Sequence, residues 1–427
     1  MNSAENPSKL NIGDDIKAII RTYKTPFYLY HEKVLSDICG RTREMLPGIG
    51  LCFAMKAAPV LTGVMDRYAD RLEVCSPGEF EICVRAGIAP EKILVSGVNK
   101  SPESVQRFLE CAGEKARYTI ESERHLQLLE EGAKAADLKL HCYIRLSSGN
   151  QFGVDTEVFW KVLNAIEASQ YLTFAGVHFF SGTQKAGNRI EKELCMLSEF
   201  GAEIEKRIGR KAELEYGPGL SIFYFETGKT ETPEETLQSL SDSVRISGIR
   251  DSFSGITFEY GRFLAARSAD YYSAVADLKE TEGTPYAILE GGIHQVAYYG
   301  SMSGMKIPHL EAINIAGQAE IGGNAGITDD TEIPDDIDSE GETREYVLAG
   351  SLCSVNDILA RSANLPVLSI GDVIRFPLAG AYALTEVPAL FLSRDLPAIL
   401  LQSRSGEVRV LRRHMETNQI NDGSASF

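Results

Sequence analysis

No apolar run in this 427-residue sequence approaches the length of a membrane-spanning helix, and the N-terminal MNSAENPSKLNIGDD lacks the basic and apolar regions of a signal peptide. A cytoplasmic chain with no membrane partner is the expectation. Positive charge is in deficit, with 43 Lys and Arg against 60 Asp and Glu and a formal net charge of −17. Nucleic acid and anionic membrane surfaces would be repelled at long range, so neither is expected as a main partner. The eight cysteines (Cys39, Cys52, Cys75, Cys83, Cys111, Cys142, Cys195 and Cys353) contain no CxxC pair. Most sit in apolar contexts, which argues against a disulfide or zinc framework and predicts reduced, mostly buried thiols.

What is present is ordinary for a soluble globular protein: 44% hydrophobic and 24% charged residues, in a chain long enough for two domains or for one barrel with a large appendage. Across 34–265 short apolar runs alternate with segments of helical period, the signal of repeated βα units and a parallel sheet. LCFAMK, DRLEVCS, ILVSGV, ARYTIES, LHCYIRL, TFAGVHFF, AELEYGPG and GITFEYG are the predicted strands. Eight such units close a TIM (β/α)8 barrel, whose functional residues project from the C-terminal strand ends. After Arg262 the pattern changes to alternating strands and turns: SADYYSAVADLKE, TPYAILEGG, REYVLAGSLC, DVIRFPLAGAY, PAILLQ and EVRVLRR. Residues 266–427, joined by 1–33 with its strand PFYLY, are therefore assigned to an antiparallel β-sandwich or β-barrel domain. ITDDTEIPDDIDSEGETRE, at 327–345, reads as an acidic, solvated insertion.

Three strand ends carry candidate chemistry. Lys56 closes the apolar run LCFAM, where a lysine ordinarily leaves the core for water. The alternative is a nucleophile toward a carbonyl. EYGPG, 215–219, reads as a plain turn or as a glycine backbone brought close to a phosphate. FEYGR, 258–262, sets Glu259 and Arg262 three residues apart, as a surface ion pair or as part of a site.

Taken together and in order, FAMKAA, VCSPGEF, GVHFFSGTQ, EYGPG, FEYGRFLAA, AGSLCSVNDILA and AGAYAL resemble the fold type III pyridoxal-phosphate decarboxylases, the family of diaminopimelate and ornithine decarboxylases. The resemblance implies an alanine-racemase-like fold, pyridoxal 5'-phosphate as cofactor, no metal, and a homodimer with shared active sites. It implies that Lys56 holds the cofactor and that Glu259 pairs with the pyridine nitrogen, keeping it protonated as an electron sink. Gly217, Gly219, Gly261 and Arg262 would surround the phosphate, with Thr183 and Tyr382 as further contacts. His178 and Phe180 would lie at the ring, and Glu79 and Arg145 would support the site. Cys353, which on composition alone reads as a buried structural thiol, would enter from the other subunit and return a proton to the substrate after carbon dioxide leaves. Ser354 and Asp357 would stand at the substrate end. His178 alone reads equally as a core histidine.

The pattern also departs from that family. Phe180 replaces a stacking histidine, Gln151-Phe152-Gly153 stands where KFG is usual, and Glu73 replaces an aspartate. Ser354 replaces the glutamate expected to pair with the distal ammonium of diaminopimelate. These departures, with FLSRDLPA at 391–398, resemble the branch serving siderophore and antibiotic pathways. The expected substrate is an amino acid whose far end is not a free ammonium. Diaminopimelate decarboxylation for lysine biosynthesis is the alternative. A racemase is disfavoured by Glu259 and the cysteine motif. An inactive, decarboxylase-like regulatory binding protein is disfavoured because Lys56, Glu259, Arg262, Cys353 and Tyr382 are all present. A carrier protein, normally acidic, would be opposed by the −17 charge unless Arg361, Arg394, Arg412 and Arg413 converge, so a soluble small-molecule substrate is favoured.

Overall fold

In the computed structural model of the chain, which describes residues 9–11, 15–227, 231–315 and 342–423, eight strands close into a parallel barrel. They are β1 Gly50–Ala54, β2 Arg71–Val74, β3 Ile93–Val95, β4 Arg117–Ile120, β5 Leu140–Arg145, β6 Leu172–Phe180, β7 Glu213–Gly217 and β8 Gly255–Tyr260. β8 returns to β1 with Glu259 opposite Cys52. The local sequence explains the alternation. Ser76, Ser101 and Thr232 each precede a proline and accept a hydrogen bond from the third helical N–H, so each loop ends in a capped helix: Pro77–Arg85, Pro102–Cys111 and Pro233–Ser247. Ser122 and Asp155 cap Glu123–Ala136 and Thr156–Ala168 in the same way.

Residues two apart on a strand face the same side, and on several barrel strands such pairs are ionisable or polar: Arg71 and Glu73, Tyr143 and Arg145, Glu213 and Glu215, Thr257 and Glu259. Where branched aliphatics usually fill such a barrel, this one has a polar ladder. Arg71 donates to Glu215 at 2.6 Å, to Tyr143 Oη at 2.9 Å and to Glu213 at 3.2 Å. Burial pushes the Glu215 carboxyl up to about 7 against the opposing pull of Arg71.

The chain divides into two units: Lys33–Phe223 with Thr230–Ala266, and Met1–Glu32 with Tyr224–Lys229 and Arg267–Phe427. The second holds a ten-stranded sheet. Most neighbours in it are antiparallel, but Ala398–Gln402 runs parallel to Phe27–His31, and Thr284–Leu289 parallel to Thr343–Ala349. The expected antiparallel domain is present, and the two parallel pairs are ones in which sequence-distant strands meet through long connections rather than hairpins. The expected strand at PFYLY is Phe27–His31, and its Phe27 and Leu29 pack with Ile19, Tyr272, Val373, Leu400 and Val408 in one apolar cluster. Ile358–Pro366, Glu311–Ile313 and the backbone strand Lys9–Asn11 were not expected.

Of the acidic insertion expected at 327–345, positions 327–341 lie outside the described residues, and its last three open the strand Thr343–Ala349. All eight cysteines are free; four are buried, three are intermediate, and Cys353 is exposed, so the expectation of mostly buried thiols holds for half of them. Among the described residues no helix is long and apolar enough to cross a membrane.

Candidate active site

β1 ends at Ala54, and the tight turn Met55–Ala57 that follows places Lys56 at the C-terminal end of the barrel. Its ammonium lies 2.9 Å from Glu73 Oε2, 3.6 Å from Glu259 Oε1 and 3.5 Å from Cys75 Sγ. Glu73 is itself held: its other oxygen accepts from Ser96 Oγ and, at 3.2 Å, from Cys75 Sγ. Burial alone would raise the Glu73 carboxyl, but the Lys56 charge beside it, with His178, holds it far below the usual carboxylate range. Glu259 Oε2 pairs with His178 Nε2 at 3.2 Å, while His178 Nδ1 is buried without a hydrogen-bond partner among the described residues. The ligand atoms of Glu73, His178 and Glu259 lie within 4.8 Å of one another, close enough for a metal, but the cation those two carboxylates share is the Lys56 ammonium. That charge would repel a divalent ion placed there.

Phe180 ends β6 with its ring centroid 5.8 Å from Lys56 Nζ. Beside it β7 ends in Gly217, where a Cβ would sit 2.4 Å from the Phe180 ring. Gly219 has φ +62°, and a Cβ there would meet Gly182 O at 2.1 Å. Only glycine permits both the conformation and this approach of two backbones. Arg262, directly after Gly261, donates from Nε to Thr183 Oγ1 at 3.3 Å. The loops after β6, β7 and β8 thus bring a hydroxyl, a guanidinium and glycine main chain to one end of the barrel, where backbone and guanidinium donors suit an anion.

Glu79 accepts from Cys75 N at 2.7 Å and fixes the turn from β2 into its helix; burial raises its carboxyl. Arg145 pairs with Glu121 at 3.1 Å and lies 4.8 Å from the Phe152 ring centroid. Next to that pair, His125 Nδ1 accepts from Glu121 N and Nε2 faces Val98 O at 3.2 Å, an arrangement that requires the neutral ring with its proton on Nε2. Burial, aided by Lys100, pushes His125 down to about 4.

The remaining predicted residues belong to the second unit. Cys353 is exposed on the loop between Thr343–Ala349 and Ile358–Pro366, with Ser354 beside it. Arg394, within FLSRDLPA, donates to Ser351 O at 2.8 Å and so ties that segment to this loop. Tyr382 has φ +64°, a costly conformation for a bulky residue, and its carbonyl accepts from Thr385 N and Glu386 N. Asp357 was expected at the substrate end, but it is 1% exposed, and its two oxygens accept from Ile293 N at 2.8 Å and Leu352 N at 2.7 Å. Its carboxylate shapes the loop that carries Cys353. Of the four arginines considered as a docking patch, three donate to separate carbonyls: Arg361 to Ser303 O, Arg394 to Ser351 O and Arg412 to Pro397 O.

Sequence reasoning noted Glu73 only as a substitution and missed Cys75 and Ser96. The available signal was a carboxylate inside the apolar run LEV, two residues from Arg71 on the inward face.

Residues 34–266 match the family described as pyridoxal-dependent decarboxylase, pyridoxal binding domain. Among curated proteins the chain is 28% identical to the L-glutamyl-[BtrI acyl-carrier protein] decarboxylase of Niallia circulans, over 95% of each chain. It is 24% identical to the diaminopimelate decarboxylase of Zymomonas mobilis, over 95% of this chain and 94% of the other. The crystal structure of diaminopimelate decarboxylase from M. jannaschii in complex with L-lysine has the same fold, with a TM-score of 0.80 and 20% identity over 97% of this chain and 95% of that one.

Proposed function

The chain belongs to the pyridoxal-dependent decarboxylases, and from that premise we propose that it removes the α-carboxylate of an amino acid whose distal end carries no free ammonium. The residues described fit the cofactor. An amine sits among buried carboxylates, an aromatic face adjoins it, and a glycine backbone that admits no Cβ lies next to Arg262 and Thr183. Lys56 Nζ would hold the cofactor through its aldehyde carbon, Glu259 would hold a proton at the ring nitrogen, and Phe180 and His178 would bound the ring. Gly217, Gly219, Gly261, Arg262 and Thr183 would receive the phosphate. When bound, pyridoxal phosphate supplies the electron sink for the pair released as the Cα–carboxylate bond breaks. Glu73 keeps Lys56 in place through their 2.9 Å ion pair. Cys353, from a second copy in a homodimer, gives the proton that replaces carbon dioxide at Cα.

One observation carries the substrate assignment. The only acidic residue in the loop 350–357 is Asp357, and both its oxygens are taken by backbone N–H groups. Ser354, next to Cys353, offers a hydroxyl that already accepts from Asn356 N at 3.3 Å. The loop therefore has no carboxylate to neutralise a distal ammonium, a charge costly to desolvate without a counter-ion. A neutral, acylated or anionic distal group avoids that cost. The Niallia circulans relative, named for a glutamyl group on a carrier protein, is consistent with this class. Diaminopimelate, the substrate named for the Zymomonas mobilis relative, is the competing reading.

Carbon dioxide release is to be measured with free diaminopimelate, ornithine, lysine and glutamate, with distally acylated amino acids, and with the same groups held on a carrier protein. Turnover of a distally blocked compound ahead of all free diamino acids is expected. Diaminopimelate as the best substrate overturns the assignment.

A further inference from the structure

Lys185 has no role in the reading above, yet it touches two residues that do, Gly217 and Gly219. Its side chain is fully enclosed, and its ammonium donates to Glu193 Oε2 at 2.7 Å, Gly217 O at 3.0 Å and Ser181 Oγ at 3.2 Å, one acceptor for each of its three N–H groups. Lys185 N donates to Gly219 O at 2.9 Å, and a Cβ on Gly219 would meet Lys185 Cε at 2.8 Å. Ser221 Oγ reaches back to Lys185 O at 3.2 Å. One residue thus grips the turn from Gly217 to Ser221 with both its main chain and its side chain.

Glu193 anchors the grip. It accepts from Tyr216 Oη at 2.8 Å and Arg189 Nε at 3.1 Å as well as from Lys185 and Ser181. Lys185 and Arg189 against one carboxylate leave this cluster a positive charge in excess. Burying an ammonium is costly, and here one of its three bonds goes to the carbonyl of a single glycine. A carbonyl oxygen held on an ammonium is fixed, and it cannot swing toward an anion and repel it.

We propose that Lys185 is a positioning residue for the phosphate end of the cofactor: its ammonium, held by Glu193 and Ser181, locks the Gly217–Gly219 backbone in the shape that receives the phosphate and places a buried positive charge beside it. This rests on the pyridoxal-phosphate reading of the same site, and it makes Lys185 important for the phosphate rather than for the ring.

The test is binding. Full-length protein freed of cofactor is titrated with pyridoxal phosphate and with pyridoxal, which lacks the phosphate, following protein fluorescence and cofactor absorbance. Lys185→Met is expected to weaken pyridoxal phosphate about tenfold or more, the scale of a lost charge-assisted contact. Pyridoxal binding should stay within about twofold, and Lys192→Met, at an exposed lysine next to Glu193, should change neither. Lys185→Arg should recover part of the loss. Equal losses for both ligands would mean general loosening, and no loss would mean no role; either overturns the proposal. If Lys185→Met fails to fold by thermal melting, Lys185→Arg decides, with a phosphate-specific loss supporting the proposal and an equal loss or none rejecting it. Wild-type protein that binds no pyridoxal phosphate would instead overturn the cofactor reading itself.

Discussion

Lys56 and Lys185 approach the same ring, each ammonium 5.8 Å from the Phe180 centroid. Their surroundings differ. The Lys56 side chain is 34% exposed and lies between two buried carboxylates; that of Lys185 is 0% exposed, with one carboxylate, one hydroxyl and one carbonyl around its nitrogen. The same division recurs in the two cysteines that matter. Cys75 is held against Glu73 and Ser96, where burial and the Glu73 charge keep the thiol protonated, whereas Cys353 stands exposed on its loop. In each pair the enclosed member organises structure, and the accessible member is the one to which the proposed function gives a ligand.

The largest effect separates the lysines. Lys56→Ala is expected to reduce carbon dioxide release to the detection limit and to abolish borohydride-trapped cofactor on the protein, with some loss of thermal stability because buried Glu73 and Glu259 lose the ammonium beside them. Lys185→Met at saturating cofactor should retain most turnover. Equal inactivation of both variants would break the contrast between a reacting and a positioning lysine.

The cysteines come next. Loss of a positioned proton donor costs on the order of 10²–10⁴ in rate, so Cys353→Ala should fall by that much and divert some turnover to wrongly protonated or transaminated product. Cys75→Ala should stay within about tenfold, its cost appearing instead as roughly 1 kcal/mol of stability from a lost buried hydrogen bond. Mixing inactive Lys56→Ala with inactive Cys353→Ala under subunit exchange should restore activity if the donor comes from a second copy. Demonstrated hybrids without recovery would confine each site to one chain.

The accessible members of these pairs were also the ones legible in the sequence. Lys56 and Cys353 sit in contiguous motifs, and the barrel itself was readable because β1 to β8 are short apolar runs separated by capped amphipathic helices. The enclosed members depend on register between strands. Ser96 matters because the loop after β3 lies beside Glu73 on β2, and Lys185 because its loop bridges to Leu220. No local pattern encodes either. Asp357 shows the opposite failure: its motif was legible, but the two N–H groups that occupy it come from Ile293 and Leu352, one of them 64 residues away. Ile358–Pro366 was missed as a strand because polar Arg361, Ser362 and Asn364 interrupt its apolar alternation.

Enclosed groups should then reveal themselves in stability rather than turnover, and His125 offers the cleanest measure. Its folded value of about 4 lies below the ordinary 6.5, so the folded state resists protonation. The contribution is fully present above pH 6.5 and is lost as pH falls toward 4, amounting to roughly 3 kcal/mol at the low end. His125→Asn, which keeps an acceptor for Glu121 N, should flatten the difference in denaturant midpoint between pH 7 and pH 4 while leaving the rate at pH 7 nearly unchanged. An unaltered acid slope would show that His125 does not titrate as its burial requires.

The smallest effect concerns the second unit, where Asp357 is the enclosed acid and Ser354 the accessible position. If the loop discriminates by lacking a usable carboxylate, Ser354→Glu supplies one beside Cys353, where a distal ammonium could pair with it. Kcat/KM for free diaminopimelate should rise by roughly 5- to 50-fold relative to that for the preferred distally blocked substrate, the scale of one partly solvated charge pair. Asp357→Asn should act differently: by weakening the bonds from Ile293 N and Leu352 N it should slow all substrates together, because the Cys353 loop loses its anchor while the substrate's distal end loses nothing. Competition assays with both substrates present measure these ratios directly. A shift in preference produced by Asp357→Asn and not by Ser354→Glu would reverse the roles assigned to the two positions and return the buried carboxylate to the substrate.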